Sequence, residues 1–133
     1  MAHILVVEDA ADVRQLLVDL ADVMGHTVTE VFDGLAAVRA ALTRKPDLII
    51  MDLMMPSAPG DSALQFIRGT PQIARTPILV LSAHVDVGYI ARQYGADAWL
   101  AKPVEIEVLR KTITRLLEPS KTDLEAASES DGL

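Results

Sequence analysis

The sequence predicts an α/β fold, a doubly wound five-stranded parallel sheet in the order 2-1-3-4-5 with five helices, and three observations predict it. Short, nearly continuous apolar runs recur at His3–Val7, Asp47–Met51 and Pro77–Leu81, the pattern of strands buried on both faces. Amphipathic stretches of helical period alternate with these runs. The connections are only a few residues long, and right-handed crossovers between parallel strands then cover the sheet on both sides.

Each element has its own signal. After the first strand, Val13, Leu16, Leu17, Leu20, Ala21 and Met24 recur at i, i+3, i+4 and i+7, and Gly25 stands where a left-handed helix cap belongs. Thr27–Phe32 is β-branched and half polar, as suits a strand at the sheet edge. Leu35, Val38 and Leu42 mark a second helix that Pro46 ends, before the third strand. Leu64 and Ile67 form a shorter stripe after Gly60, before the fourth strand. Val87, Ile90, Ala91 and Tyr94 precede a second capping glycine, Gly95. Ala98–Ala101 is a short fifth strand. Ile106, Leu109, Ile113, Leu116 and Leu117 mark a last helix that stops near Pro119. Residues 1–118 therefore read as one domain. Residues 119–133 lack an apolar face and carry one lysine against four acids, the composition of a flexible acidic tail or linker.

Composition narrows the chemistry. The 133 residues are 50% hydrophobic and 23% charged, enough for a core. No cysteine is present, which excludes disulfides, thiolate catalysis and cysteine-ligated metals. Twelve basic against nineteen acidic residues give a net charge of −7, a poor match to nucleic-acid phosphates, so no direct nucleic-acid binding is expected. The three histidines are scattered without ligand spacing. No apolar run reaches the ~20 residues of a membrane span and no signal peptide precedes the first strand, so a cytoplasmic protein without membrane attachment is expected.

Ligands of open α/β sheets collect beyond the carboxyl ends of the strands, where the strand order reverses. The residues at those ends are Glu8 and Asp9 after strand one, Asp52 after strand three, Ser82 and Ala83 after strand four, and Lys102 and Pro103 after strand five. Neighbouring strands lie about 4.8 Å apart, so the three carboxylates of strands one and three share one small volume and repel unless a cation or proton intervenes. Hard oxygen ligands in an incomplete cage suit Mg²⁺. A carboxylate such as Asp52 can attack phosphorus to give an acyl phosphate, while Lys102 and Ser82 offer an ammonium and a hydroxyl to phosphoryl oxygens. Singly, each has a plain explanation: Asp9 as a helix N-cap, Ser82 as a turn hydroxyl, Lys102 as a solvated lysine. Four strand ends supplying an acid pair, an acid, a hydroxyl and an amine point beyond capping.

The motifs Glu8-Asp9 after an apolar strand, Asp47 to Pro56 (DLIIMDLMMP), Gly60, Leu81-Ser82-Ala83 and Gly95 to Pro103 (GADAWLAKP) resemble a bacterial response regulator receiver domain of flavodoxin-like fold, over about His3–Leu117. The resemblance implies that Asp52 is the phosphoacceptor, served by a sensor histidine kinase or a histidine phosphotransfer protein. It implies Asp9 and Asp52 as Mg²⁺ ligands with the Met54 backbone carbonyl, Glu8 holding metal-bound water, and Ser82 and Trp99 as switch residues. Lys102 would bind phosphate, the Lys102–Pro103 bond would be cis, and Arg14, Gln15 and Val104 would dock the kinase. The face of helix four, strand five and helix five would then meet a partner or a second copy. Such a domain is a signalling element that catalyses only its own phosphorylation and dephosphorylation.

The sequence departs from the family pattern in three places. Trp99 replaces the usual Tyr or Phe, and packing against the last helix is the alternative to switching. Pro59 precedes Gly60 where relatives often carry Asp. Met54 and His84 occupy positions that tune phosphoryl lifetime, and Met54 cannot orient an attacking water. Rival functions also make predictions. An aspartate-nucleophile phosphatase usually has a second acid where Met54 stands. A nucleotide-binding module needs a glycine-rich loop where Glu8-Asp9-Ala10-Ala11 stands. A receiver-like scaffold that takes no phosphate would keep the fold without the reaction.

Overall fold

The computed structural model describes residues 1–53, 60–83 and 86–118. Five strands alternate with five helices: β1 (His3–Val7), α1 (Ala11–Val23), β2 (Thr27–Val31), α2 (Gly34–Thr43), β3 (Leu48–Asp52), α3 (Gly60–Arg68), β4 (Ile78–Ser82), α4 (Val87–Gln93), β5 (Ala98–Ala101) and α5 (Ile106–Leu117). All pairings are parallel, and the sheet runs β2-β1-β3-β4-β5, the order expected from the sequence. No described helix is long and apolar enough to cross a membrane.

Alternation along the buried strands splits the core in two. Leu5, Val7, Ile49, Met51, Ile78 and Val80 point to one face, against Ala37 and Ala41 of α2, Leu64 and Ile67 of α3 and Ala91 of α4. Ile4, Val6, Leu48, Ile50, Leu79 and Leu81 point to the other, against Leu17, Leu20 and Ala21 of α1 and Leu109 and Ile113 of α5. A period of two in five-residue strands thus assigns each helix its layer.

The helix boundaries follow local chemistry. Gly25 and Gly95 adopt φ of 85° and 81°, a region that only glycine enters cheaply, and both stand just past helices as expected. The Asp33 carboxylate accepts from Ala36 N–H at 2.8 Å and caps α2.

Several expectations need correction, among them the fourth strand, which is Ile78–Ser82 rather than Pro77–Leu81, and Ile106, which is exposed rather than part of the buried stripe of α5. The third strand is Leu48–Asp52, one residue later than the apolar run, because the Asp47 side chain instead accepts the His3 N–H at 2.7 Å while Asp52 stays paired with Leu81. Leu35 and Leu42 are 56% and 48% exposed; α2 rests on the sheet through Ala37 and Ala41, whose small side chains let the helix approach and leave the leucines on its outer flank. Leu16 is likewise exposed on the shoulder of α1.

Candidate functional site

The parallel register brings the carboxyl ends of β1, β3, β4 and β5 to one edge of the sheet, and the site is built there. Val7 pairs with Met51, so Glu8 and Asp52 follow on adjacent strands. Glu8 and Asp52 are buried and Asp9 is exposed. One carboxylate oxygen from each of Glu8, Asp9 and Asp52 lies within 4.8 Å of the others. Lys102, just past β5, reaches back between them: its Nζ donates to Glu8 Oε2 and to Asp52 Oδ2, both at 2.9 Å. The Lys102 N–H donates to the Ser82 carbonyl at 3.0 Å, which ties the lysine loop to the end of β4, where Ser82 is fully buried. The Lys102–Pro103 peptide bond is cis.

The electrostatics are unbalanced. Burial raises the pKa of Glu8, and the neighbouring Asp52 charge raises it further, against hydrogen bonds from Lys102 and the Ala10 N–H. Burial works against the Lys102 ammonium, but its bonds to Asp52 and Glu8 outweigh that and hold its pKa above the usual lysine value. The ammonium faces two acids, whereas Glu8 is buried and shares its cation with Asp52. Among the described residues, with all three acids ionised, the one ammonium between them leaves two negative charges, which suits a divalent ion held by hard oxygens.

The turn that carries the acid pair is held from outside. The N-cap of α1 is Ala10, with no side-chain cap, so Asp9 does not cap the helix. Glu8 Oε1 instead accepts the Ala10 N–H at 3.1 Å. Arg14 donates through NH1 to the carbonyls of Glu8 and Asp9, at 2.9 and 3.2 Å.

A match to the response regulator receiver domain family covers residues 4–114. The chain belongs to that family. The receiver domain of response regulators works in two-component signalling, generally as a signalling element rather than an enzyme. This receiver is 32% identical over 120 residues to Protein PilH of Pseudomonas aeruginosa, covering 88% of this chain and 98% of that protein. It spans only 55–56% of the length of several other curated regulators that it matches. Among solved structures, the chemotaxis response regulator CheY4 of Vibrio cholerae superposes with a TM-score of 0.81 at 32% identity, over 87% of this chain and 98% of that one. The receiver domain of sensor histidine kinase PA1611 from Pseudomonas aeruginosa, solved with magnesium coordinated in its active-site cleft, gives a TM-score of 0.80 at 32% identity, over 87% and 97%.

The receiver places its other sequence-predicted residues as follows. Trp99 is half-buried and packs on α4, not on the last helix: it joins the core layer of Val87 and Ala91, with the Arg92 guanidinium 5.1 Å from its ring centroid. Gln15 is exposed on α1 and donates to Asp19 Oδ1 at 2.8 Å. Val104, with Val13, Leu16, Leu17, Pro103 and Leu109, lines an apolar groove of about 420 Å³ between α1 and α5, opening beside Lys102. Met54, Pro59, His84 and the tail of residues 119–133 lie outside the described residues. Sequence reasoning missed the inward turn of Arg14 and the close fit of Gly88 beneath Trp99; both depend on distances between elements, which no local spacing encodes.

Proposed function

We propose that this receiver, residues 1–118, accepts a phosphoryl group on Asp52 from a phosphohistidine and uses it to change its contacts with a partner. The observation that carries this is the meeting of Glu8, Asp9 and Asp52 around one ammonium, Lys102, at the strand ends. Asp52 Oδ attacks phosphorus in line, an O–P bond forms, the P–N bond to the donor imidazole breaks, and that nitrogen keeps the electron pair. Lys102 exchanges its bond to Asp52 for one to a phosphoryl oxygen, and the Ser82 hydroxyl donates to another. Glu8, Asp9 and Asp52 would hold Mg²⁺, with the Met54 carbonyl as a further ligand. Bound there, Mg²⁺ supplies positive charge that the single lysine cannot.

The donor is a sensor histidine kinase or a histidine phosphotransfer protein. It meets the apolar groove beside Lys102, where Val104 lines the wall and Gln15 stands exposed on α1. The output face is α4–β5–α5, which shares Trp99 and the Ser82–Lys102 tie with the site, and it engages a partner or a second copy of the chain. The cytoplasm is the compartment where such donors act. Outside its own phosphorylation and dephosphorylation the domain catalyses nothing in this reading.

Incubation with acetyl phosphate and Mg²⁺ followed by intact-mass measurement tests the proposal. A single phosphoryl adduct, absent from Asp52→Asn and from samples with excess chelator, is expected. Turnover without an adduct would make the protein a phosphatase, and no reaction would make it a scaffold.

A further inference from the structure

We propose that Arg14 is a positioning residue of the acidic site, setting where the Glu8 and Asp9 carboxylates stand, rather than a residue that docks the phosphoryl donor. The inference rests on the acidic cluster being the cation and phosphoryl site described above. Arg14 lies in the first turns of α1, and its side chain keeps only 18% exposure. One guanidinium nitrogen, NH1, donates to two consecutive carbonyls, Glu8 at 2.9 Å and Asp9 at 3.2 Å. On its far side Nε faces Glu30 Oε1 at 3.5 Å, and Cζ lies 4.2 Å from the centre of the Phe32 ring. The guanidinium is therefore fixed by β2 and the residue after it, and it fixes the β1–α1 turn in turn.

The need for such a clamp follows from the turn itself. It carries two adjacent acids that must converge with Asp52 against their own repulsion, and α1 has no side-chain cap to set its start. The direction of a side chain is set by its backbone, so pinning both carbonyls pins the origin of both carboxylates. The planar fork matters as much as the charge. A lysine ammonium at this position could reach one carbonyl, but could not also lie flat on Phe32 and face Glu30. Partners of this kind, one step removed from a metal, typically change its affinity by ~10–100-fold when lost.

The test uses Arg14→Gln, Arg14→Lys and Phe32→Ala in the full chain. Mg²⁺ affinity is measured by calorimetry at constant ionic strength, and the labelling rate with acetyl phosphate, which needs no docking, is followed by mass. Expected is Mg²⁺ binding weaker by about tenfold in both Arg14 variants, with Lys giving little rescue, and by about two- to fivefold in Phe32→Ala. Labelling should slow in proportion at low Mg²⁺ and recover when Mg²⁺ is raised. Unchanged Mg²⁺ affinity and unchanged labelling in variants that melt normally would overturn the proposal and return Arg14 to the docking surface. Full rescue by Arg14→Lys would overturn it too, in favour of charge alone. A wild-type chain that binds no Mg²⁺ would remove the basis of the proposal. One that binds Mg²⁺ but never takes the phosphoryl group would sink the functional reading alone, because the calorimetric comparison still decides the role of Arg14.

Discussion

Lys102 carries an uneven load, one ammonium between two buried carboxylates at 2.9 Å each, with Asp9 beside them. Removing the cation and removing one anion should therefore have opposite signs. Lys102→Met strands the acids and should destabilise the chain by on the order of 2 kcal/mol. That is less than the ~3–5 kcal/mol of a fully buried pair, because the lysine keeps 19% exposure. Asp52→Asn keeps the shape, relieves the repulsion on Glu8 and should stabilise the Mg²⁺-free protein by about 1 kcal/mol. Urea unfolding in chelator checks both, and equal signs would contradict the shared-cation arrangement. His3 supplies a second test at the other end of β1. It is buried, with Nδ1 2.7 Å from Thr27 Oγ1 and Nε2 2.8 Å from Thr29 Oγ1. Burial lowers its pKa below 6.5 and the Arg44 charge lowers it further, against Asp47. The unfolded chain then binds the proton more readily. The His3 contribution is complete above pH 6.5 and is lost as pH falls from there through the folded value. The stability advantage of wild type over His3→Gln should shrink between pH 7.5 and 5.5 when melting is compared at matched salt; a constant gap would mean that folding leaves the affinity of the ring for its proton unchanged, and a growing one that the folded chain favours the protonated ring.

Between elements, α4 fits closely on β5 through a glycine. A Cβ built on Gly88 would stand 2.9 Å from Trp99 Nε1 and 3.4 Å from Cε2, so the helix can lie on the indole only because this position has no side chain. Gly88→Ala gains about 1 kcal/mol of helix propensity, yet it must push the indole or the helix away at a cost of ~1–3 kcal/mol. A small net loss of stability and a shifted Trp99 emission are expected, and Trp99 is the only tryptophan, so the emission is unambiguous. Unchanged emission would mean that the contact is slack. At the opposite end of the sheet a single side chain joins three segments. Arg68 donates from Nε to the Gly95 carbonyl at 2.9 Å, from NH1 to the Ala74 and Thr76 carbonyls at 3.0 and 2.6 Å, and from NH2 to Asp97 Oδ2 at 2.8 Å. Asp97 Oδ2 also accepts the Ile78 N–H at 2.8 Å. Arg68→Ala should cost about 2–3 kcal/mol in thermal or urea unfolding, through carbonyls left without their donor. Arg68→Lys should recover little, since a point charge cannot serve a fork of four acceptors. A loss below ~0.5 kcal/mol would show that water replaces the guanidinium freely.

For the molecule as a whole, what was legible in the sequence was what a period or a strand end encodes. The buried runs gave the strands to within a residue, the glycines at 25 and 95 marked helix ends, and Glu8, Asp9, Asp52 and Lys102 could be placed together because strand order alone decides which ends are neighbours. What stayed hidden depends on how closely layers approach. Leu35 and Leu42 read as core until Ala37 and Ala41 turn out to be the contact, and Trp99 lies on α4 although nothing around it in the chain says which helix covers it. The same separation of layers and edge governs global stability. Two apolar layers hold the sheet from both sides, while its carboxyl edge concentrates buried negative charge that one lysine does not neutralise. A divalent cation that binds only the folded chain should therefore raise the melting temperature by mass action, by about 2.7 kcal/mol at a hundredfold excess over Kd. For a chain of 133 residues that corresponds to roughly 10 °C. In Asp52→Asn the Mg²⁺-free protein starts higher and the Mg²⁺-dependent rise shrinks, so the two melting curves draw together as Mg²⁺ is added. Scanning calorimetry across a Mg²⁺ series, with Na⁺ at equal ionic strength as control, reads this directly. Parallel rises in wild type and variant would place the cation elsewhere on a surface of net charge −7, and no rise in either would show that Glu8, Asp9 and Asp52 do not hold one.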